Sequence, residues 1–180
     1  KRFEITLVDK NNYNFFPPLL YQVATGYLET SNISYPFRKL FRGKKNFQFR
    51  IGTVIKVLQE QHTVILDTGE IHYDYLVFAT GTETNYFGME SVMENAIPMR
   101  TVEDALYMRN FLLDTLEKAS RETDPIKRKK LLTIVVAGGG PTGVELSGMF
   151  AEMRQTIIPS DYPELIGSKG EIYLVDGLKA

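Results

Sequence analysis

The stretch VVAGGGPTGVEL, residues 135–146, decides the fold of this chain. An apolar run typical of a strand leads into a loop in which Gly138, Gly140 and Gly143 have the spacing GxGxxG, and a helical pattern follows. The first glycine allows a tight turn, the second lets the backbone approach a pyrophosphate, and the third lets helix and strand pack closely. Pro141 suits the first turn of a helix, where its missing N–H costs nothing. The stretch therefore predicts a dinucleotide-binding loop with phosphates at the helix N-terminus.

The last predicted strand, residues 171–176, supports this interpretation because it ends in an acid, Asp176. A carboxylate at this point of such a unit accepts hydrogen bonds from the adenosine ribose hydroxyls, and its charge opposes a 2′-phosphate. That favours NADH over NADPH. The separation from the glycine loop exceeds the usual ~20 residues, so we expect an insertion across residues 157–170. The alternative for Asp176 is a solvated strand end.

The first half of the chain predicts a different set of elements. Residues 3–9 predict a strand that ends in Asp9, and residues 11–26, rich in aromatic residues and proline, predict an irregular segment leading into a short helix. An antiparallel meander is predicted with strands at residues 53–58, 63–66 and 73–80 and a turn at 67–70. Only the second acid-ending strand follows a glycine loop. We therefore expect an internal fragment that carries parts of two nucleotide-binding units.

The second half predicts helices around the glycine loop. Thr101 is a helix N-cap with acids in the first turn, and an apolar stripe of Leu106, Leu112, Leu113 and Leu116 at helical spacing is expected to face the core. The basic run at residues 127–130 is interpreted as a solvated helix end or loop. A buried parallel strand is predicted at residues 131–137, and a helix at 142–155.

Two further features carry less information. The segment Ala79–Thr80–Gly81 follows a predicted buried strand, and small residues ending in glycine permit a close approach of the backbone to a ligand. Glu145 falls in the first turn of the helix after the glycine loop, where complementarity to the helix dipole is sufficient to explain an acid.

Composition excludes several classes of function. The formal net charge is −1, from 21 basic and 22 acidic residues that we take as well mixed, so no global field favours nucleic acid. Cysteine is absent, which excludes disulfides, thiolate metal sites and cysteine nucleophiles, and the two histidines are too isolated to predict a metal site. No apolar run approaches the ~20 residues that span a bilayer. We expect a chain that is itself soluble and cytoplasmic.

The motifs together resemble a known family. They are PLLYQVATG at residues 18–26, FATG at 78–81 with NYFG at 85–88, and the glycine loop at 138–146. The chain is similar to flavoproteins that bind FAD and a nicotinamide nucleotide in two domains, and among them to type II NADH:quinone oxidoreductases. The resemblance implies an α/β fold of two Rossmann-like dinucleotide-binding units, both incomplete, with an antiparallel meander in the first. It implies a partial FAD-binding domain at residues 1–98 and a partial NAD(H)-binding domain at 99–180.

The resemblance also implies roles for individual residues. The residues implied beside FAD are Asp9, Lys10 and Asn11 near the adenosine, Val54 near the adenine, and Ala79, Thr80 and Gly81. The residues implied to hold NADH are Gly138, Gly140, Pro141, Thr142 and Gly143, with Asp176 on the ribose. Glu145 would approach the nicotinamide near the flavin as the one candidate for a catalytic contribution. Family features missing from this chain are the glycine loop for FAD, the quinone segment and the membrane-anchoring helices.

The implied activity is hydride transfer from NADH to flavin, followed by electron transfer to a quinone. The whole enzyme would be peripheral on the cytoplasmic side of the inner membrane, attached through segments absent here, and a possible homodimer; the fragment alone is expected to be inactive. One alternative is a soluble NAD(P)H oxidase or ferredoxin-type flavoprotein reductase. An alternative of another class is a non-catalytic nucleotide-binding domain, against which the presence of parts of two sites argues.

Overall fold

The computed structural model describes residues 3–168 and 170–177. They fall into two compact units: the first contains residues up to Phe15 and Ser34–Glu83, the second Phe16–Ile33 and residues from Thr84 onward. The division into cofactor domains at residues 98 and 99 stays a prediction. Its outer bounds, residues 1 and 180, lie outside the described residues.

The strands are β1 (Ile5–Asp9), β2 (Tyr13–Phe15), β3 (Ser34–Pro36), β4 (Phe47–Ile51), β5 (Val54–Leu58), β6 (Thr63–Leu66), β7 (Gly69–His72), β8 (Ile134–Ala137) and β9 (Ile172–Val175). The α-helices are α1 (Leu20–Ala24), α2 (Thr30–Ile33), α3 (Phe37–Leu40), α4 (Glu90–Asn95), α5 (Val102–Arg121), α6 (Pro125–Leu132) and α7 (Pro141–Asp161). Short 3-10 helices cover Pro17–Leu19, Gln59–Gln61 and Pro163–Leu165. Within residues 3–168 and 170–177, no helix is long and apolar enough to cross a membrane.

The first unit is built from small sheets. Strand β1 runs parallel to β4, with Asp9 opposite Ile51 at their carboxyl ends. Strands β2 and β3 pair antiparallel, and β5, β6 and β7 form an antiparallel sheet in sequence order. The Arg50 guanidinium on β4 donates to the carbonyl oxygens of Thr68 and Glu70, at 2.9 and 3.2 Å. The first strand and the first two strands of the antiparallel meander are thus confirmed, and the β6–β7 turn is tied to β4.

The third strand of the meander differs from the prediction. It is β7, and residues 73–80 belong to no strand. Tyr75, Val77 and Phe78 are 82, 84 and 66% exposed, so the predicted buried strand before Ala79 is wrong. The apolar run has the composition of a strand covered on both faces, but a strand needs a neighbour to pair its backbone groups. Among the described residues no strand runs beside this segment.

The second unit contains the predicted parallel pair. Strand β8 pairs with β9, from Ile134 opposite Ile172 to Ala137 opposite Val175. Strand β8 begins later than predicted because residues 131 and 132 end helix α6. Helix α7 packs against both strands. Successive side chains of a strand point to opposite faces, so Val136 is buried while Val135 is 64% exposed, and the strand is half-buried rather than fully buried as predicted.

Helix α7 is longer than predicted. It begins at Pro141 and continues to Asp161, past the expected end at residue 155, with Pro159 inside its last turn. The basic run at residues 127–130 lies in the middle of α6, and Lys129 and Lys130 fall in its last turn, which agrees with the interpretation as a helix end. Asp124 caps that helix, since its Oδ1 accepts from the backbone N–H of Ile126 at 2.8 Å.

Helix α5 begins as predicted but buries a different face. The Thr101 Oγ1 accepts from the backbone N–H of Asp104 at 3.1 Å, and Asp104 Oδ2 accepts from the backbone N–H of Thr101 at 2.9 Å, which completes a capping box. The buried residues are Val102, Ala105, Met108, Leu116 and Ala119. Of the predicted leucine stripe only Leu116 is buried; Leu113 is exposed and the other two are half-buried. Two of the other buried residues are alanines, and these lie where neighbouring elements pack closely on α5.

The short helix α1 explains why the motif at residues 18–26 is apolar. Its Val23 and Ala24 are fully buried, and the helix packs against α5 and α7. Thr25 is also buried, and its hydroxyl donates to the Tyr21 carbonyl at 2.8 Å, which satisfies the group without water. The predicted irregular segment with a short helix is confirmed.

The segment between α7 and β9 packs on the second half of α5. Tyr162 and Leu165 form one buried cluster with Leu116 and Ala119. The Tyr162 hydroxyl donates to Glu117 Oε1 at 3.1 Å. Burial, and then this hydrogen bond, raise the pKa of Tyr162 above its ordinary value. The long connection before Asp176 is therefore part of the core of the second unit.

The Thr101 cap provides a test of how α5 is held. Replacing Thr101 with Ala removes the acceptor for the Asp104 N–H, and we expect the free energy of unfolding to fall by about 1 kcal/mol. Urea denaturation followed by circular dichroism measures this change. Thr101→Ser, which keeps the hydroxyl, should retain most of the stability; equal losses in the two variants would contradict the role of the capping hydroxyl.

Candidate functional site

The glycine loop joins the carboxyl end of β8 to the N-terminus of α7. The Gly138 N–H donates to the Val175 carbonyl at 2.8 Å, so the loop begins as an extension of the parallel pair. Gly140 is the N-cap of α7, its carbonyl accepts from the Val144 N–H at 3.0 Å, and Pro141 is the first helical residue. The predicted sequence of strand, loop and helix is present, with the first N–H groups of α7 directed to the loop side.

Each of the three spaced glycines has a different environment. Gly138 has a φ of +111°, in the region that side chains rarely adopt. At Gly143 a Cβ atom would lie 1.9 Å from the Gly138 carbonyl oxygen, so helix and loop are in contact there. Gly140 has φ −68° and ψ 176°, which any residue can adopt, and a Cβ there would meet no atom within 4 Å. Neither conformation nor packing within the described chain explains Gly140.

Asp176 binds the glycine loop from the end of the neighbouring strand. It follows β9, and its Oδ2 accepts from the Gly139 N–H at 2.6 Å. The same carboxylate lies against Gly139, where a Cβ would come 2.9 Å from Oδ2. Asp176 is therefore held at the carboxyl ends of both strands, beside the loop, and it is exposed there. Sequence reasoning missed Gly139, because its contribution is a backbone N–H that any residue type would carry.

The loop borders a cavity of about 1650 Å³ within the second unit. Five predicted residues of the loop and Asp176 line it: Gly138, Gly140, Pro141, Thr142, Gly143 and Asp176. Its other walls are mainly apolar and include Met108 and Leu112 of α5 and Phe150 of α7. A concave, mostly apolar space with a few polar groups at one edge is the usual form of a cofactor site. The structure thus brings the predicted nucleotide residues to one place.

Glu145 is the exception in this unit. It lies in the first turns of α7 but is exposed and is not among the residues that line the cavity. The helix is fixed in this region by Ser147, whose hydroxyl donates to the Gly143 carbonyl at 2.7 Å. Glu145 is the fifth residue of α7 and lies past the first turn that the sequence predicted for it. The helix dipole is therefore a weak explanation for this acid, and its approach to a nicotinamide stays a prediction.

In the first unit, Asp9 and Val54 lie near the same end of the β1–β4 pair. The Gly52 N–H donates to the Asp9 carbonyl at 3.0 Å, and Val54 follows two residues later with its side chain 40% exposed. Asp9 Oδ1 accepts from the Asn11 N–H at 2.8 Å, which turns the chain directly after β1. Lys10 is exposed in that turn. The predicted adenosine residues are therefore neighbours.

Gly52 lies beside the predicted adenosine residues, and sequence reasoning missed it. It is buried, and a Cβ there would lie 3.0 Å from Thr68 Oγ1 and 3.1 Å from Asp67 Oδ1. Asp67 Oδ1 also accepts from the Thr53 N–H at 2.8 Å. The β6–β7 turn thus contacts the connection between β4 and β5. In the sequence, this position was marked only by a glycine between two β-branched residues.

The remaining FAD residues predicted from the resemblance are less constrained. Ala79, Thr80 and Gly81 are exposed and lie outside the helices and strands. Gly81 has a φ of +74°, which explains a glycine at that position by backbone conformation. Their place beside a cofactor stays a prediction.

Comparisons with known proteins agree with this geometry. Residues 1–178 match the family model described as pyridine nucleotide-disulphide oxidoreductase. The chain is 35% identical over 181 residues to the type II NADH:quinone oxidoreductase Ndh of Mycobacterium tuberculosis, covering 98% of this chain and 39% of that protein. It is 36% identical over 175 residues to the external alternative NADH-ubiquinone oxidoreductase of Yarrowia lipolytica, covering 91% of this chain and 30% of that protein.

Among solved structures, NDH2 from Plasmodium falciparum in complex with NADH matches with a TM-score of 0.87 and 28% identity, covering 97% of this chain and 37% of that one. The chain thus spans less than two fifths of the length of these relatives. The resemblance to type II NADH:quinone oxidoreductases and the α/β class with Rossmann-like units are confirmed. The chain belongs to the pyridine nucleotide-disulphide oxidoreductase family.

Proposed function

We propose that this chain carries parts of an FAD site and an NADH site of an NADH:quinone oxidoreductase. In the whole protein, bound FAD would supply the capacity to accept a hydride from NADH and to pass two electrons to a quinone, while the residues of this chain would hold the two nucleotides. The relatives named as NADH:quinone and NADH-ubiquinone oxidoreductases support this assignment. The observation that carries it is Gly140, whose absent side chain leaves open space at the rim of the cavity.

The residues of the second unit fit a dinucleotide. A pyrophosphate needs backbone N–H groups, a close approach and the positive end of a helix dipole. The N-terminus of α7 supplies the donors and the dipole, and Gly140 permits the approach. Asp176 stands at the strand end, where it accepts from ribose hydroxyls while its other contact holds the loop through Gly139. We infer that Pro141 and Thr142, which line the cavity, lie beside the phosphates of the bound dinucleotide.

The residues of the first unit fit the adenosine part of a second nucleotide. Asp9 follows a parallel strand and has one carboxylate oxygen fixed by the Asn11 N–H, so the carboxylate is oriented before a ribose arrives. Val54 offers an exposed apolar surface close by for an adenine ring. When bound, FAD supplies the capacity to take up a hydride and to release electrons; the side chains of this unit bind and orient it.

The proposal extends to the location and the oligomeric state of the whole protein. We infer that it works at the cytoplasmic side of the inner membrane as a peripheral protein, and as a homodimer. Membrane fractionation of cells and light scattering of the purified protein check these two points.

A soluble NAD(P)H oxidase or ferredoxin-type reductase is the alternative function within the same fold. Assays with quinone, oxygen and ferredoxin as electron acceptors distinguish it from a quinone reductase.

Flavin binding tests the first unit. We expect equilibrium dialysis of FAD against the chain to show excess flavin on the protein side, and Asp9→Asn to weaken binding about tenfold because a neutral amide replaces a charged acceptor. Asn keeps the oxygen that binds the Asn11 N–H. Glu60→Gln, an exposed acid of the same unit, serves as the matched control. Equal FAD binding by all three proteins would contradict the assignment of Asp9.

The loop glycines separate folding from nucleotide binding. Gly140→Ser places a small side chain in open space and supplies a favourable N-cap residue, so we expect unchanged or higher stability. NADH affinity should fall at least about tenfold, because the side chain occupies the path of the phosphates. Titration of NADH fluorescence and thermal unfolding measure the two effects.

Gly143→Ala is the contrasting variant. Its Cβ would lie 1.9 Å from the Gly138 carbonyl oxygen, so we expect it to lower the free energy of unfolding by about 1–3 kcal/mol. If Gly140→Ser bound NADH as tightly as the unaltered chain, the dinucleotide assignment of the loop would be lost, whatever Gly143→Ala did.

Two acids test nucleotide selectivity. Asp176→Asn removes the charge that opposes a 2′-phosphate, so the affinity for NADPH relative to NADH should rise about tenfold. Glu145→Gln removes a charge in the first turns of α7, where a nicotinamide common to both nucleotides is proposed to lie. It should weaken both nucleotides and leave their ratio unchanged. A ratio that shifted equally in both variants would show a general charge effect and remove both assignments.

A further inference from the structure

The positive charge of the first unit is concentrated in one stretch of the chain. Residues 34–59 contain seven basic residues and no acid, although the whole chain has a formal net charge of −1. Five of the basic residues fall within residues 38–45 and form what we call the basic patch: Arg38, Lys39, Arg42, Lys44 and Lys45. The acids and bases of the chain are therefore not well mixed here, contrary to the first expectation.

Aromatic stacking fixes the orientation of this stretch. Phe37 of α3 is buried and stacks on Phe49 of β4 at a centroid distance of 5.1 Å. Phe41, one helical turn later, stacks on Phe47 of the same strand at 3.8 Å. Residues four apart share a face of a helix, and residues two apart share a face of a strand. The phenylalanines thus hold α3 to β4, and the three residues between them are exposed.

The side chains of the basic patch are exposed. All five residues are in the exposed class, and none forms an ion pair with an acid of residues 3–168 and 170–177. Two of them rest on rings: the Arg38 guanidinium lies 5.2 Å from the Phe49 centroid, and the Lys39 ammonium 5.1 Å from that of Tyr35. The positive charge is therefore available to an anionic partner at the surface.

Apolar side chains lie within the same surface. Leu40 is 49% exposed and follows Lys39 in the chain, and Tyr35 is 44% exposed with the Lys39 ammonium over its ring. Nucleic acid requires basic groups but gains little from an exposed leucine, whereas a bilayer surface takes up aliphatic and aromatic side chains between its headgroups. We propose that the basic patch, with Leu40 and Tyr35, docks onto a membrane surface of anionic lipids. The inference rests on the peripheral membrane location proposed above, and this surface is independent of the proposed cofactor sites.

Vesicle sedimentation of the full chain tests the proposal. Binding to vesicles of phosphatidylcholine with phosphatidylglycerol should exceed binding to phosphatidylcholine alone and should fall as salt is raised. Lys44→Glu with Lys45→Glu should weaken the binding at least about 30-fold, since each basic residue near such a surface contributes about fivefold. Lys127→Glu with Lys130→Glu changes the net charge equally on exposed residues of α6 and should have little effect. Circular dichroism checks that both variants fold.

A second variant separates lipid from other polyanions. Leu40→Ser should weaken vesicle binding about tenfold through lost insertion, and should leave binding to single-stranded polyuridylate unchanged. Equal losses in the two double variants would overturn the proposal in favour of a net-charge effect. It would also be overturned by vesicle binding that ignores Leu40→Ser, or by tighter binding to the RNA than to the vesicles. NADH titration of the variants should be unaltered, so a failed result here leaves the cofactor assignment intact.

Discussion

The close contact between Gly143 and the Gly138 carbonyl is the constraint on which the second unit depends. Because no side chain separates them, α7 begins directly against the end of β8. That proximity lets Gly138 continue the pairing with β9 and brings Gly139 within reach of Asp176. The direction of the first N–H groups of α7, and so the position where an anion would bind, follows from one contact between helix and loop.

The two units reach a similar arrangement by different local means. Each places an acid at the carboxyl end of a parallel strand and fixes one of its oxygens with a backbone N–H. Asp9 accepts from Asn11, within its own turn, so its orientation depends on a local segment. Asp176 accepts from Gly139, 37 residues earlier, so it joins two elements. Loss of the Asp176 carboxylate should therefore affect the geometry of the glycine loop as well as nucleotide recognition. Loss of the Asp9 carboxylate should affect recognition alone.

Local patterns predicted what local forces determine. The glycine loop, the Thr101 cap, β1, β8 and β9 were predictable because conformation, capping and pairing are encoded within a few residues. The burial of α5 was not, since Ala105 and Ala119 become core residues only through the helices that pack on them. Residues 73–80 have the pattern of a strand and no partner strand among the described residues. Gly139 and Gly52 act through backbone atoms or available space, which residue type reveals poorly.

The charge distribution shows why averages over the chain mislead. A formal net charge of −1 suggests no strong field around the chain as a whole. Yet the first unit carries an acid-free stretch, residues 34–59, that contains α3. Screening limits charge effects to about 8–10 Å at physiological salt, so a surface responds to its own charges and not to the sum. Because Phe37 and Phe41 hold α3 against β4, the lysines and arginines between and after them are presented together. The aromatic stacks that stabilise the first unit thereby also create its most positive surface.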